Sequence, residues 1–148
     1  MTSMPTRPKA VLDTTVLVSA FLVPGGAAAQ LLFRAGHDFT LALSPDILDE
    51  LVATLLTKPK IRKSYIFTDA QVHEYAAHVV ELTGLVAHTV EPLTGVVRDP
   101  KDDMIIACAI TVGADFIVSR DKDLLSLADY QGVAIVSPRQ FLDSFSAT

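Results

Sequence analysis

Short apolar runs alternate along the chain with segments of helical periodicity, and this alternation constrains the fold more than any other feature. The apolar runs predict strands over residues 9–13, 39–43, 85–88, 116–119 and 133–136. The helical patterns cover residues 27–35, 46–57, 68–84 and 100–112 and a last segment after Ser137-Pro138. Right-handed crossovers place such helices on both faces of a parallel sheet. The sequence therefore predicts an α/β fold, a three-layer αβα arrangement with a mostly parallel central sheet.

Capping residues and prolines predict where several helices begin. Ser44 with Pro45 supplies an N-cap and an N1 proline, and Thr68 with Gln71 forms a capping-box signature. Residues 14–23 are compatible with either a helix or extended chain. The segment 100–112 is apolar on almost every side, so we expect that helix to be buried.

Length and composition predict one domain. The chain has 148 residues, half of them hydrophobic, which is enough for a substantial core over residues 1–148 with residues 1–8 as a flexible N-terminus. The longest apolar run is far shorter than the roughly 20 residues of a membrane span, and no signal peptide is apparent. We therefore expect a cytoplasmic protein without membrane contact. The single cysteine, Cys108, excludes an internal disulfide.

The charge distribution restricts nucleic-acid binding without excluding it. A formal net charge of −5 argues against nonspecific affinity for phosphates. It does not exclude a metal-dependent nuclease, because site carboxylates contribute to the sum and bound cations offset it. One basic run, Lys58 to Lys63, places four cations in six residues. It is either a solvated loop after a helix or a phosphate-binding segment.

Acidic residues recur where predicted strands end or predicted helices begin. Asp13 and Asp121 each follow an apolar strand, Asp103 opens the apolar helix, and Glu50 lies in the helix after Ser44. The carboxyl ends of parallel strands form the edge where ligands collect in such sheets. Clustered carboxylates repel one another unless a cation offsets the cost. This pattern indicates a site for Mg²⁺ or Mn²⁺.

Each of these acids also has a purely structural interpretation. Asp13 is placed to cap a helix that starts at Thr14. Glu50 falls on the side of its helix opposite the apolar positions, where a solvated side chain is the simplest expectation. Spacing does not distinguish Asp121 from Asp123 as the residue that faces a site.

The third acidic motif contains several aspartates with different expected roles. Asp99 is placed as the N-cap of the apolar helix, and Asp102 as a capping carboxylate in its first turn. These roles leave Asp103 unexplained. Because an isolated buried carboxylate is costly, Asp103 requires a partner or a metal ion.

Four motifs, taken together and in order, resemble those of the PIN-domain family, metal-dependent ribonucleases that include the toxins of prokaryotic toxin–antitoxin pairs. Val-Leu-Asp-Thr carries Asp13, and Ser-Pro-Asp-Ile-Leu-Asp-Glu-Leu carries Glu50. Asp-Pro-Lys-Asp-Asp-Met-Ile-Ile-Ala-Cys-Ala carries Asp103. Ile-Val-Ser-Arg-Asp-Lys-Asp-Leu carries Asp121, with Asp123 as its near neighbour. No single motif is specific, but four in this order are.

The resemblance, which spans residues 9–145, implies a PIN-like fold and a metal-dependent endoribonuclease. Asp13 and Asp103 would hold Mg²⁺ or Mn²⁺ directly, and Glu50 and Asp121 would complete the catalytic site directly or through waters. The implied substrate is single-stranded or looped RNA, and the implied role is that of a toxin. A cognate antitoxin and a second copy of the chain are the candidate protein partners.

The chain departs from the family pattern at two supporting positions. Thr15 stands where the family most often has Asn, and Ser119 where it often has Thr. A hydroxyl group still donates and accepts hydrogen bonds, so these two residues, with Asp123, are expected to support the acids. The resemblance also assigns backbone contacts with RNA to basic residues beside the motifs: Lys58, Lys60, Arg62, Lys63 and Arg120, with Arg98, Lys101 and Lys122 nearby.

Two other functions stay open at this stage. One is a catalytically weak PIN module that binds RNA or a protein partner without cleavage, which the departure at Thr15 favours. The other is a phosphatase or phospho-acceptor domain with Asp13 as nucleophile. That chemistry usually requires a second acid two residues later, where Thr15 stands.

Overall fold

A computed structural model describes residues 7–88, 90 and 100–145, without the side chain of Pro100. Within these residues the strands are β1 Lys9–Leu12, β2 Thr40–Leu43, β3 Thr83–Val86, β4 Phe116–Val118, β5 Asp129–Tyr130 and β6 Val133–Val136. The helices are α1 Thr14–Leu22, α2 Ala27–Phe33, α3 Pro45–Thr57, α4 Pro59–Ser64, α5 Asp69–Leu82, α6 Pro100–Val112, α7 Lys122–Leu127 and α8 Pro138–Ser144. Most of the predicted flexible N-terminus, together with Arg98 and Asp99, lies outside the described residues.

The strands form one sheet in the order β3-β2-β1-β4-β6-β5. Every neighbouring pair is parallel except β5 and β6 at one edge. Val11 in the central strand is paired with Ala42 on one side and Ile117 on the other. The predicted α/β fold with a mostly parallel sheet is therefore confirmed.

Local sequence explains where most helices begin. The Ser44 hydroxyl accepts a hydrogen bond from the Ile47 amide at 3.2 Å, and Thr68 with Gln71 forms the predicted reciprocal capping box. Ser137 and Gln140 form a second capping box at the start of α8. Residues 14–22 are helical, which settles the ambiguity of this segment in favour of a helix.

Four local features differ from the sequence-based expectations. The interpretation of the basic run as a loop is wrong, because Pro59 starts α4 after ending α3. Helix α5 ends at Leu82 rather than at Gly84, since residues 83–86 pair with β2. Helix α7 and strand β5 are additions to the predicted elements, and both are too short to show a clear hydrophobic period.

Buried apolar side chains from the central strands and the helices form a continuous core. Helix α6 contributes Ile105, Ile106, Cys108 and Ala109, while Ile110 is 38% exposed, so the predicted burial of this helix holds for most of its faces. Burial raises the pKa of the Cys108 thiol to about 11. In the described ranges no single helix is long and apolar enough to cross a membrane. Helices α1 and α2 meet these two criteria only when they are taken together, and that pair is bent by 99°.

Candidate metal centre

Asp13 joins the end of β1 to the start of α1 and combines two of its predicted roles. Its Oδ1 atom accepts hydrogen bonds from the Val16 amide at 3.0 Å and from the Thr15 hydroxyl at 2.5 Å, so it caps the helix. The Ser119 hydroxyl donates to its Oδ2 atom. Only 2% of the residue is exposed. Asp13 therefore lies at the carboxyl edge of the sheet and is also a helix cap.

Burial raises the pKa of the Asp13 carboxyl above its ordinary value of 3.8. Hydrogen bonds from Ser119, Thr15 and the Val16 amide oppose this effect, because they stabilise the ionised form. The nearby charge of Asp121 raises the pKa further. The carboxylate is thus in an environment where a bound cation would favour its ionised state.

Ser119 connects Asp13 to Asp121 at the end of β4. Its buried hydroxyl donates to Asp13 and accepts a hydrogen bond from the Asp121 amide at 2.9 Å. Asp121 in turn caps α7, since its Oδ1 atom accepts from the Asp123 amide at 2.7 Å. Asp121 borders the cleft described below. Asp123 supports Asp121 through its backbone amide.

Glu50 lies on α3, on a face it shares with Ala53, Thr54 and Thr57. Its side chain is 25% exposed, and Oε1 lies 2.8 Å from the Lys101 ammonium and 3.3 Å from the Thr54 hydroxyl. The helical wheel correctly places Glu50 away from the apolar core. The side chain is half-buried rather than fully solvated, because that face borders a cleft.

The first turn of α6 carries two buried acids. Asp102 is 7% exposed and Asp103 is 6% exposed. Asp102, for which the sequence predicts only a capping role, is among the residues that line the cleft, and Asp103 is not. Successive residues of a helix point about 100° apart, so the two carboxylates have different directions.

Several of the acids line one cleft of about 780 Å³. Four of its lining residues are carboxylic acids from four different elements or junctions: Asp13, Glu50, Asp102 and Asp121. In the described part of the chain, no three His, Cys, Asp or Glu side chains are arranged to hold one ion. Mg²⁺ retains several waters and needs only one or two protein carboxylates. The donor chemistry of the cleft therefore fits a hydrated divalent cation.

The predicted RNA-binding residues divide into three groups. Lys58 and Arg120 line the cleft, and the Arg120 guanidinium donates to the Ser19 hydroxyl at 2.9 Å. Lys60 and Lys63 are exposed on α4 outside the cleft lining. Arg62 makes contacts within the protein, because its guanidinium lies 2.9 Å from a carboxylate oxygen of Asp69 and over the ring of Phe67.

Asp102 and Tyr65 are cleft residues with functional side chains that lie outside the set of site residues predicted from sequence. The favourable first-turn position of Asp102 points to capping alone, so the sequence gives no sign of its place in the cleft. Tyr65, which also lines the cleft, follows the basic run whose simplest interpretation is a loop. Pro59 as an N1 residue is the signal that predicts α4, and with it an ordered position for Tyr65.

Comparisons with known proteins agree with this architecture. A family model described as the PIN domain matches residues 9–123. The uncharacterized protein MJ1680 of Methanocaldococcus jannaschii is 28% identical, over 93% of this chain and 91% of its own length. The crystal structure of VapBC2 from Rickettsia felis, bound to a DNA fragment from its promoter, superimposes with a TM-score of 0.57 at 14% sequence identity. The match covers 87% of this chain and 98% of the other chain, and it shows a similarity of fold. The chain belongs to the PIN-domain family.

Proposed function

We propose that the protein is a metal-dependent endoribonuclease that cleaves single-stranded or looped RNA in this cleft. The observation that carries the proposal is the convergence of carboxylates from four separate places in the chain on one cleft at the carboxyl edge of the sheet. Membership of the PIN-domain family supports nuclease chemistry there.

The proposed catalytic residues are Asp13, Glu50, Asp103 and Asp121, which would also hold Mg²⁺ or Mn²⁺. The position of Asp102 in the cleft makes it the alternative to Asp103 on α6. When bound, a divalent ion lowers the pKa of a coordinated water and neutralises charge on the phosphodiester. Lys58 and Arg120 would position the RNA backbone.

Thr15 favours cleavage over phosphoryl transfer to Asp13, and its hydroxyl and that of Ser119 support the Asp13 carboxylate. Both hydroxyls donate hydrogen bonds to the Asp13 carboxylate and so fix its orientation. A phospho-acceptor aspartate usually has a second acid two residues later, and Thr15 occupies that position here. The phosphatase alternative is therefore disfavoured.

We also propose a cytoplasmic toxin with a protein antitoxin as partner. The structural relative from Rickettsia felis is VapBC2, and its fold covers 87% of this chain. Growth arrest on expression, relieved by a gene product from the same operon, would support the toxin role. Expression without any effect on growth would contradict it.

The test of the proposed function is cleavage of a structured RNA pool with and without Mn²⁺. Asp13→Asn should abolish metal-dependent cleavage while the fold is retained. Asp102→Asn and Asp103→Asn, compared side by side, identify which aspartate of α6 is required. Asp129→Asn is the matched control, since Asp129 is exposed on β5. Undiminished cleavage by Asp13→Asn would overturn the assignment.

One observation favours a second function, binding of RNA without cleavage. Among the described residues no three potential ligands are arranged around one point. If wild type binds RNA in Mn²⁺ but leaves it intact, and Asp13→Asn binds equally well, the protein is a binding module. Metal-dependent cleavage by wild type excludes this alternative.

A further inference from the structure

Tyr65 is an aromatic side chain at the cleft that the proposed catalytic chemistry does not use. It follows α4, is 40% exposed and lines the same cleft as the acids. By contrast, Tyr75 donates its hydroxyl to the Leu17 carbonyl at 2.6 Å and packs within the protein. An exposed aromatic ring in a cleft is suited to a planar ligand.

The chain on both sides of Tyr65 is anchored. The Tyr65 amide donates to the Ile61 carbonyl at 3.0 Å and closes α4. Arg62 pairs with Asp69 at 2.9 Å, and its guanidinium lies 4.7 Å from the centre of the Phe67 ring. Phe67 packs edge-on against Phe21 of α1, with the two ring centroids 5.2 Å apart. These contacts fix the backbone that presents Tyr65 to the cleft.

The residues that line the cleft differ in their chemistry. On α3 the lining residues run from Glu50 to Thr57, a rise of about 10 Å. Lys58, Ile61 and Tyr65 continue the lining after α3, so the same cleft presents carboxylates and an aromatic ring. An RNA strand bound in this cleft with its reacting phosphate at the acids would bring its neighbouring nucleotides to the rest of the lining, to which Tyr65 belongs.

We propose that Tyr65 stacks on an unpaired base beside the cleaved bond and thereby selects single-stranded RNA. This inference rests on the proposed function. Stacking on an aromatic ring tolerates every base but requires that the face of the base is free, which a duplex does not offer. Lys58, which also lines the cleft, supplies a cation for the phosphate of the same nucleotide.

The chain contains no tryptophan, so Tyr65→Trp introduces a single fluorescent reporter at this position. Its emission is recorded in Mg²⁺ by stopped flow, before turnover, with a single-stranded oligoribonucleotide. An abasic oligomer of equal length and a matched duplex are the comparison ligands. Tyr130→Trp is the control variant, because Tyr130 lies on β5 and is not among the cleft residues.

We expect the single strand to quench the indole emission of the Tyr65→Trp variant, with little effect of the abasic oligomer or the duplex and none in the control variant. Tyr65→Leu should bind the single strand about tenfold more weakly, whereas Tyr65→Phe should bind like wild type. Melting temperatures of all variants verify that they are folded.

The stacking role of Tyr65 would be overturned if RNA binding is detected by anisotropy but the indole emission is not quenched. Equal quenching by the abasic oligomer would also overturn it. Cleavage by the wild type would still stand in that case. Absence of both binding and cleavage in the wild type would overturn the proposed function and this inference together.

Discussion

At the scale of single residues, Asp13 shows the conflict between burial and ionisation most clearly. Its carboxyl pKa is raised by desolvation, so the native state binds a proton there more readily than the unfolded chain does. The contribution of Asp13 to stability is present below its ordinary pKa of 3.8 and is lost as the pH rises through the raised value. The ionised carboxylate therefore opposes folding at neutral pH in the absence of metal.

Asp13→Asn should for this reason raise the melting temperature of the metal-free protein at pH 7, by roughly 2–4 °C for each kcal/mol of relieved desolvation. The amide oxygen can still accept from Val16 and Thr15, and the amide nitrogen can donate to Ser119. Thermal melts from pH 4 to 8 in EDTA measure the effect, which should become smaller toward the acid end of this range. A variant that melts lower than wild type at pH 7 would show that the hydrogen bonds outweigh desolvation.

Ser119→Ala tests the hydroxyl that joins two acids. The substitution leaves the buried Asp13 Oδ2 atom and the Asp121 amide without this partner, at a cost of about 1–3 kcal/mol. We expect a lower melting temperature and weaker cleavage. The control is Ser126→Ala, whose exposed hydroxyl donates to the Asp123 carbonyl and should be nearly neutral. Equal effects of the two substitutions would contradict the bridging role.

At the scale of elements, α4 and its N-cap residue Lys58 carry cations for which we expect different roles. Lys58→Ala should lower the slope of log binding constant against log salt by about one, because a phosphate contact is lost. Arg62→Ala should leave the slope nearly unchanged but lower stability, since Arg62 pairs with Asp69 and covers Phe67. Binding titrations at several salt concentrations measure both. An equal loss of slope in Arg62→Ala would show that its charge reaches the RNA.

The elements also show how far sequence reasoning extends. Apolar runs, capping boxes and prolines predict five of the six described strands and most helix starts, because these signals act over a few neighbouring residues. The environment of Glu50 is not predictable in this way, since periodicity separates core from non-core faces but does not separate a cleft from bulk solvent. The contrast between Asp102 and Asp103 depends on the direction of a helix relative to the cleft, which is a tertiary property.

At the scale of the whole molecule, the site lies where the order of strands changes direction. The chain proceeds from β1 to β2 and β3 on one side, and then crosses to β4 on the other side of β1. Asp13 and Asp121 follow these two neighbouring central strands, β1 and β4. Loops diverge above such a point and leave a crevice at the carboxyl edge. The topology therefore brings together acids that are distant in sequence.

Because these acids come from distant parts of the chain, a bound metal ion should stabilise the whole domain. Metal binding can therefore be measured as a change in thermal stability. Mn²⁺ at a hundredfold excess over its dissociation constant should stabilise the native state by about 2.7 kcal/mol, which corresponds to roughly 5–10 °C for a chain of this size. Asp13→Asn and Asp103→Asn should respond much less to Mn²⁺, because each removes a proposed ligand, while Asp129→Asn should respond like wild type. Thermal melts in EDTA and in millimolar Mn²⁺ measure the shift without any substrate. If wild type shows no shift, the carboxylates act only as helix caps and buried partners, and the metal-dependent mechanism fails.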